Sequence, residues 1–302
     1  MNHLKYQLLL LFLGGILFLF PEICIEGAKN GLLLWSGTIV PTLLPFLLLT
    51  GLMNKFNALH LVSFLFYPIY RRFPNLNKNL AYTMVLGFFC GYPLGAKIIC
   101  DLILSGSYTK KEGQCLLAVC NNVSPMFTIG YTLHLILRDE ASTPLFFLCL
   151  YAPNILYFLF CMIQLYQQGF FQEHPCTPSI FTQKTMDEII FDSLRSIFSI
   201  GIYIMIFSIG TNLLISIPSI PSAVSLLIGC LEITTGITHF GTLPLSFQLK
   251  SAAICAISAF GGLCSAAQTA AVSKDGHLSI LHYLGTKAVF SLASGCLALI
   301  FL

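Results

Sequence analysis

The sequence predicts an all-α, polytopic membrane protein, and three observations carry that reading. Only 9% of the residues are charged, against roughly a quarter in a soluble domain. Mean hydropathy is +0.84, a balance that leaves a water-soluble chain of this length too little polar surface to cover itself. Apolar runs of spanning or near-spanning length also recur from one end to the other, separated by Pro, Gly and charged residues.

The runs lie at 6–20, 31–53, 80–104, 126–137, 145–165, 189–217, 223–237, 245–272 and 280–302. Residues 6–20 follow Lys5 like the apolar core of a signal peptide. The stretch Pro21-Glu22-Ile23-Cys24 offers no small-residue cleavage site, however, so they are expected to form a first membrane helix. Residues 59–67, ended by Pro68, suit an interfacial segment. Two or three of the other runs are too short for a full crossing, and Gly or Pro interrupts several, which points to re-entrant or broken helices. The polar stretch 167–186 divides the chain. The expected organisation is a lead-in over 1–30, a first half over 31–166, a linker over 167–186 and a second half over 187–302. The helix after the linker carries Asp187, Glu188, Asp192 and Arg195 at its start, a pattern suited to a surface segment that then turns into the bilayer. Lys55, Arg71, Arg72 and Lys78 make the most basic loop, which places it, and the N-terminus with it, on the cytoplasmic side.

A faint internal repeat relates the halves. Gly91–Lys97 followed by the turn around Gly106 matches Gly262–Gln268 followed by the turn around Gly276. Each half also has an interrupted apolar helix upstream, at 31–53 and 189–217. Paired interruptions of this kind are a sequence signature of transporter binding sites.

Four stretches carry candidate chemistry. In the first, Gly91, Tyr92, Pro93, Gly95 and Lys97 combine loosened backbone, a missing donor and a cation. A half-helix starting there would turn its N-terminal donors toward a cavity and favour an anion, unless the stretch is only a kink with Lys97 reaching the interface. In the second, Asn121 and Asn122 precede Pro125, and two amides in lipid need partners, either a ligand or the backbone of a helix start. In the third, Glu232 is the only acidic residue between Ser193 and Lys274, with Thr234 and Thr235 beside it. It is either a coupling or gating carboxylate or the partner of Lys250 or Lys287. In the fourth, Ser265 and Gln268 follow Gly261-Gly262, small residues that also suit close helix packing.

Other functions find little support. The net charge of +3 is spread out, so no nucleic-acid partner is expected. The twelve cysteines are scattered without a CxxC pair, so they are read as small apolar residues and no metal or other cofactor is expected. There is no HExxH, GxSxG or phosphate loop, so an enzyme is not expected. His134, inside an apolar run, reads as a helix–helix contact.

Taken together, Trp35–Phe46, Gly91–Lys97, Cys120–Pro125, Leu231–Gly236 and Phe260–Gln268 resemble the sporulation integral membrane proteins of the nucleoside-recognition, or Gate, superfamily, in the same order. The resemblance implies two Gate-like repeats, a fold similar to concentrative nucleoside transporters, and residence in the cell membrane of a spore-forming bacterium. It also implies transport of dipicolinic acid during endospore formation. The alternatives are a nucleoside or nucleobase transporter and a non-transporting structural protein of spore assembly. The expected partners are a small-molecule substrate and the lipid bilayer; the sequence leaves a homo-oligomer open.

Overall fold

The structure, a computed structural model, describes residues 14–56, 79–169, 185–217 and 222–302, with the single positions 7, 11, 64 and 77. The expected interfacial segment 59–67 apart from position 64, most of residues 6–13 of the expected first helix, the arginines of the basic loop and most of the linker lie outside these residues.

The described chain is helical, with no strand. Pro21 at the first helical position and Glu22 in the first turn start α1 (Pro21–Leu34). A widened π-helical turn, Trp35–Ile39, joins it to α2 (Val40–Lys55). The expected start near Gly31 is thus ten residues late, because Glu22, Glu26 and Lys29 interrupt the apolar run without interrupting the helix. Next come α3 (Asn79–Cys90) and α4 (Leu94–Leu104). A capping box between Thr109 and Glu112 then starts α5 (Lys110–Cys120). The polar first turn of α5 hid it from the hydropathy reading. After four irregular residues, α6 (Pro125–Phe127) leads into the π-helical Thr128–Ile136, and α7 (Thr143–Tyr166) follows.

The second half opens with α8 (Met186–Ile215), capped by Thr185 and Glu188. Contrary to expectation, α8 is one unbroken helix of 30 residues, without a surface segment that turns. Its Gly201 leaves room for the Trp35 ring, whose Nε1 donates to the Ile197 carbonyl at 2.8 Å. Then come α9 (Ser222–Leu231), α10 (Ile233–Thr242), α11 (Phe247–Phe260), α12 (Gly262–Val272) and α13 (Ile280–Phe301).

Contacts between these helices show an inverted repeat. Gly27 abuts Ile209, Gly31 abuts Met205 and Gly51 abuts Ile189, so α1–α2 and α8 run antiparallel along their length. Tyr157 packs on Phe290, and Ser294 Oγ donates to the Leu150 carbonyl at 3.4 Å, so α7 and α13 are antiparallel too. Between these long helices each half places a hairpin and then an interrupted helix. The hairpins are α3–α4 and α9–α10, whose arms pack side by side. In the second, a Cβ on Gly236 would lie 2.6 Å from Gly229 Cα. The interrupted helices are α5–α6 and α11–α12, whose pieces take different neighbours: α11 lies on α13, and α12 on α8 and α9.

This arrangement corrects the repeat expected from the glycines. Gly91-Tyr92-Pro93 is a hairpin tip, and its counterpart is Leu231-Glu232; Gly261-Gly262 interrupts a helix and corresponds to 121–124. Positive φ marks both kinds of break, +70° at Gly91 and +83° at Gly261. Only packing decides whether the chain turns back or continues.

Five described helices are long and apolar enough to cross a bilayer: Pro21–Met53, Thr143–Gln164, Met186–Ile215, Phe247–Val272 and Ile280–Phe301. Large apolar side chains such as Phe191 and Leu292 point outward, whereas Thr83, Asn121, Thr132 and Ser294 are fully buried. Polar inside and apolar outside is the pattern that lipid as solvent requires. The chain is a multi-pass membrane protein. Because the second hairpin has no room for a side chain between its arms, Gly236→Val is expected to lower stability by about 1–3 kcal/mol. Thermal unfolding in detergent would read this as a lower midpoint, and an unchanged midpoint would show that the arms separate freely.

Candidate functional site

The first hairpin turns through Gly91 and the cis Tyr92-Pro93 peptide, and α4 begins immediately after it. The Tyr92 N–H donates to the Asn122 carbonyl at 2.9 Å, which ties the tip to the break between α5 and α6. At the second tip Glu232 is extended (φ −139°, ψ 125°) and caps α10. Its carboxylate accepts from the Thr234 N–H at 3.1 Å, the Thr235 N–H at 2.7 Å and the Thr235 hydroxyl at 2.8 Å. A negative charge therefore sits at the positive end of a half-helix, where the exposed N–H groups favour it.

The two interruptions face the tips. Asn121 Nδ2 donates to Thr269 Oγ1 at 2.7 Å and to the Tyr283 hydroxyl at 3.0 Å. Its Oδ1 accepts from the Ala96 N–H at 3.3 Å, and the Tyr283 hydroxyl donates back to the Asn121 carbonyl at 3.2 Å. One amide thus joins α4 and the first break to α12 and α13. Asn122 Nδ2 donates to the Val119 carbonyl, and its Oδ1 accepts from Lys287 Nζ. Ser124 Oγ accepts from the Phe127 N–H at 3.3 Å and caps α6. At the other interruption, Gly261 lies under the Tyr92 ring, and Gly262 lies against the Leu231 carbonyl and the Ile233 nitrogen. A side chain on either glycine would push a hairpin tip away.

Tips and breaks together line an open cleft, whose space of about 620 Å³ includes its open mouth. The first tip contributes Cys90, Gly91 and Tyr92, and the second contributes Glu232, Ile233 and Thr234. Ser124, Ser265 and Gln268 come from the interrupted helices, while Ile39, Leu43, Ile200 and Ile204 of the long helices form an apolar wall. The cleft can hold a small ring against that wall and offer hydroxyl, amide and carboxylate groups to its edge. The Tyr92 hydroxyl is buried without a hydrogen-bond partner among the described residues. A second, partly open cavity, with a space of about 400 Å³ including its mouth, adjoins the cleft and shares Leu43, Ile200 and Gln268 with it.

Of the residues singled out in the sequence, Gly91, Tyr92, Glu232, Thr234, Ser265 and Gln268 line the cleft. Pro93 and Lys97 line the second cavity, where Lys97 Nζ reaches Ser196 Oγ at 3.5 Å, because α4 turns that face toward α8. Gly95 packs on the end of α5, Thr235 holds Glu232, and Asn121 and Asn122 brace the backbone behind the cleft. Glu232 pairs with neither Lys250 nor Lys287 among the described residues. His134, expected between helices, is exposed and bonds Asp139 at 2.7 Å. The sequence reading missed Thr269 and Tyr283, polar partners carried by otherwise apolar helices. It considered Lys287 only as a counter-ion, although a lysine in the middle of a span was signal enough.

Comparison with known proteins finds similarity to the sporulation integral membrane protein YlbJ of Bacillus subtilis (strain 168), 28% identical over 129 residues. The match covers 43% of this chain and 32% of that protein, so the chain aligns with about a third of the relative's length. No family model matches the chain, and no solved structure matches it.

Removing the Asn121 amide strands the Ala96 N–H in a buried site and takes one partner each from the Thr269 and Tyr283 hydroxyls, which keep their bonds to the Ser265 and Asn121 carbonyls. Asn121→Ala is therefore expected to cost roughly 1–3 kcal/mol for each group left unpaired. Asn121→Asp, which keeps the acceptor and loses the donors, should fall between wild type and Ala in thermal unfolding.

Proposed function

We propose that this protein is a transporter that carries a small polar metabolite across the membrane through the cleft between its inverted halves. A single observation supports this most: both hairpin tips and both helix interruptions line one cleft, which lies against the long helices of either half. Broken helices meeting at the interface of inverted repeats form the binding sites of secondary transporters, and access alternates as one half moves against the other. No bond chemistry is required, and the cleft needs no cofactor. Glu232 acts as the gating carboxylate, since its three bonds to Thr234 and Thr235 hold the second tip in shape.

The substrate we propose first is dipicolinic acid, moved during endospore formation across the cell membrane of a spore-forming bacterium. The name of the Bacillus subtilis relative supports a sporulation role. A flat ring suits the apolar wall. Helix α12 starts without a side-chain cap, and the unpaired Tyr92 hydroxyl lies beside that start, so donors are available to a carboxylate. Lys97 adds positive charge in the adjoining cavity. The second reading, a nucleoside or nucleobase, is favoured by Glu232, the acidic side chain in the cleft lining. Its carboxylate suits ribose hydroxyls and opposes a dianion.

The test is counterflow of labelled dipicolinate into proteoliposomes, with uridine as competitor. Dipicolinate uptake indifferent to uridine is the expected result; uridine uptake would keep the transporter and change its substrate. No uptake of either by folded protein would leave a structural role in the spore-forming membrane. Glu232→Gln, Gln268→Ala and Lys97→Ala should each cut the initial rate about tenfold, equivalent to roughly 1.4 kcal/mol, while the protein still inserts and elutes as wild type.

A further inference from the structure

Lys287 lies near the middle of α13 and is 1% exposed, yet no carboxylate pairs with it among the described residues. Its amine meets Asn122 Oδ1 and lies 5.7 Å from the centre of the Tyr283 ring and 5.8 Å from that of Phe290. The Asn122 amide nitrogen is engaged by the Val119 carbonyl, which turns the oxygen toward the lysine. Val119 and Cys120 end α5, so the amine stands at the negative end of a half-helix. A carbonyl-type oxygen, two ring faces and a helix C-terminus all stabilise a positive charge, and among the described residues no donor is directed at the Lys287 nitrogen.

Unwound backbone at half-helix C-termini is also where transporters bind free coupling cations. We infer that Lys287 is a tethered cation that fills such a site at the α5–α6 interruption. The break is thereby held closed around an ammonium supplied by the chain, and it needs no free alkali cation. Through Asn122, whose carbonyl receives the Tyr92 N–H, the same ammonium positions the first hairpin tip. This inference rests on the folded structure and not on the transport reading, so its test uses stability instead of flux.

The experiment is thermal unfolding of the 302-residue chain in detergent, in chloride salts of sodium, ethylammonium or N-methyl-D-glucamine at equal ionic strength. Wild type should unfold at the same temperature in all three. Lys287→Met, which keeps the volume and loses the charge, should unfold roughly 5–10 °C lower, whatever the salt. Lys287→Ala, which leaves space, should lose at least as much in N-methyl-D-glucamine and recover part of it in ethylammonium or sodium. If Lys287→Ala does not fold, purification of Lys287→Arg alongside a destabilised Lys287→Met supports the same need for charge. Wild type stabilised by sodium would overturn the inference, because the site would then take a free cation. It would equally be overturned by a Lys287→Met protein as stable as wild type, or by a folded Lys287→Ala protein that no cation restores.

Discussion

Backbone that leaves helical geometry inside a bilayer has no water to satisfy its N–H and C=O groups, and each unpaired group costs several kcal/mol. Among the described residues the helices break at two hairpin tips and two interruptions, so the architecture depends on how those groups find partners. At the first tip and the first interruption they find them in one another, and at the second tip and the start of α6 in capping side chains. The Tyr92 N–H goes to the Asn122 carbonyl, the Ala96 N–H to Asn121, the Thr234 and Thr235 N–H groups to Glu232, and the Phe127 N–H to Ser124. Hydrogen bonds hold the first tip on the first interruption, close packing of Gly261 and Gly262 holds both tips on the second, and a cleft lined by polar groups is the result.

The halves are not independent supports for that cleft. Asn121 belongs to the first interruption, yet it bonds Thr269 and Tyr283 of the second half. Lys287 belongs to the second half and holds Asn122 of the first. Tyr92 of the first tip rests on Gly261, and the second tip rests on Gly262. Around this centre the antiparallel pairs α1–α2 with α8 and α7 with α13 provide a frame. The first of these pairs is brought close by Gly27, Gly31 and Gly201, where any side chain would meet the partner helix.

Much of the cleft was legible in the sequence because polar and helix-breaking residues are costly in lipid and therefore rarely without a reason. Gly91, Tyr92, Glu232, Thr234, Ser265 and Gln268 were found on those grounds and line the cleft. What local sequence did not convey was the direction of a side chain. Lys97 is one turn into α4, yet it points into the adjoining cavity. Asn121 and Asn122 proved to be braces, since partners more than 140 residues away in the chain claim their amides.

By itself the sequence determined the solvent, the fold class and the places where helices give way. Those properties follow from composition and from the conformational limits of Gly and Pro, which act residue by residue. Tertiary structure decided which break is a hairpin tip and which is an interruption, that α8 runs straight, and that Glu232 caps its own helix instead of meeting a lysine. It also decided that Lys287 closes on Asn122. Each of these depends on which distant backbone group is near enough to accept or donate, and only packing brings such groups together.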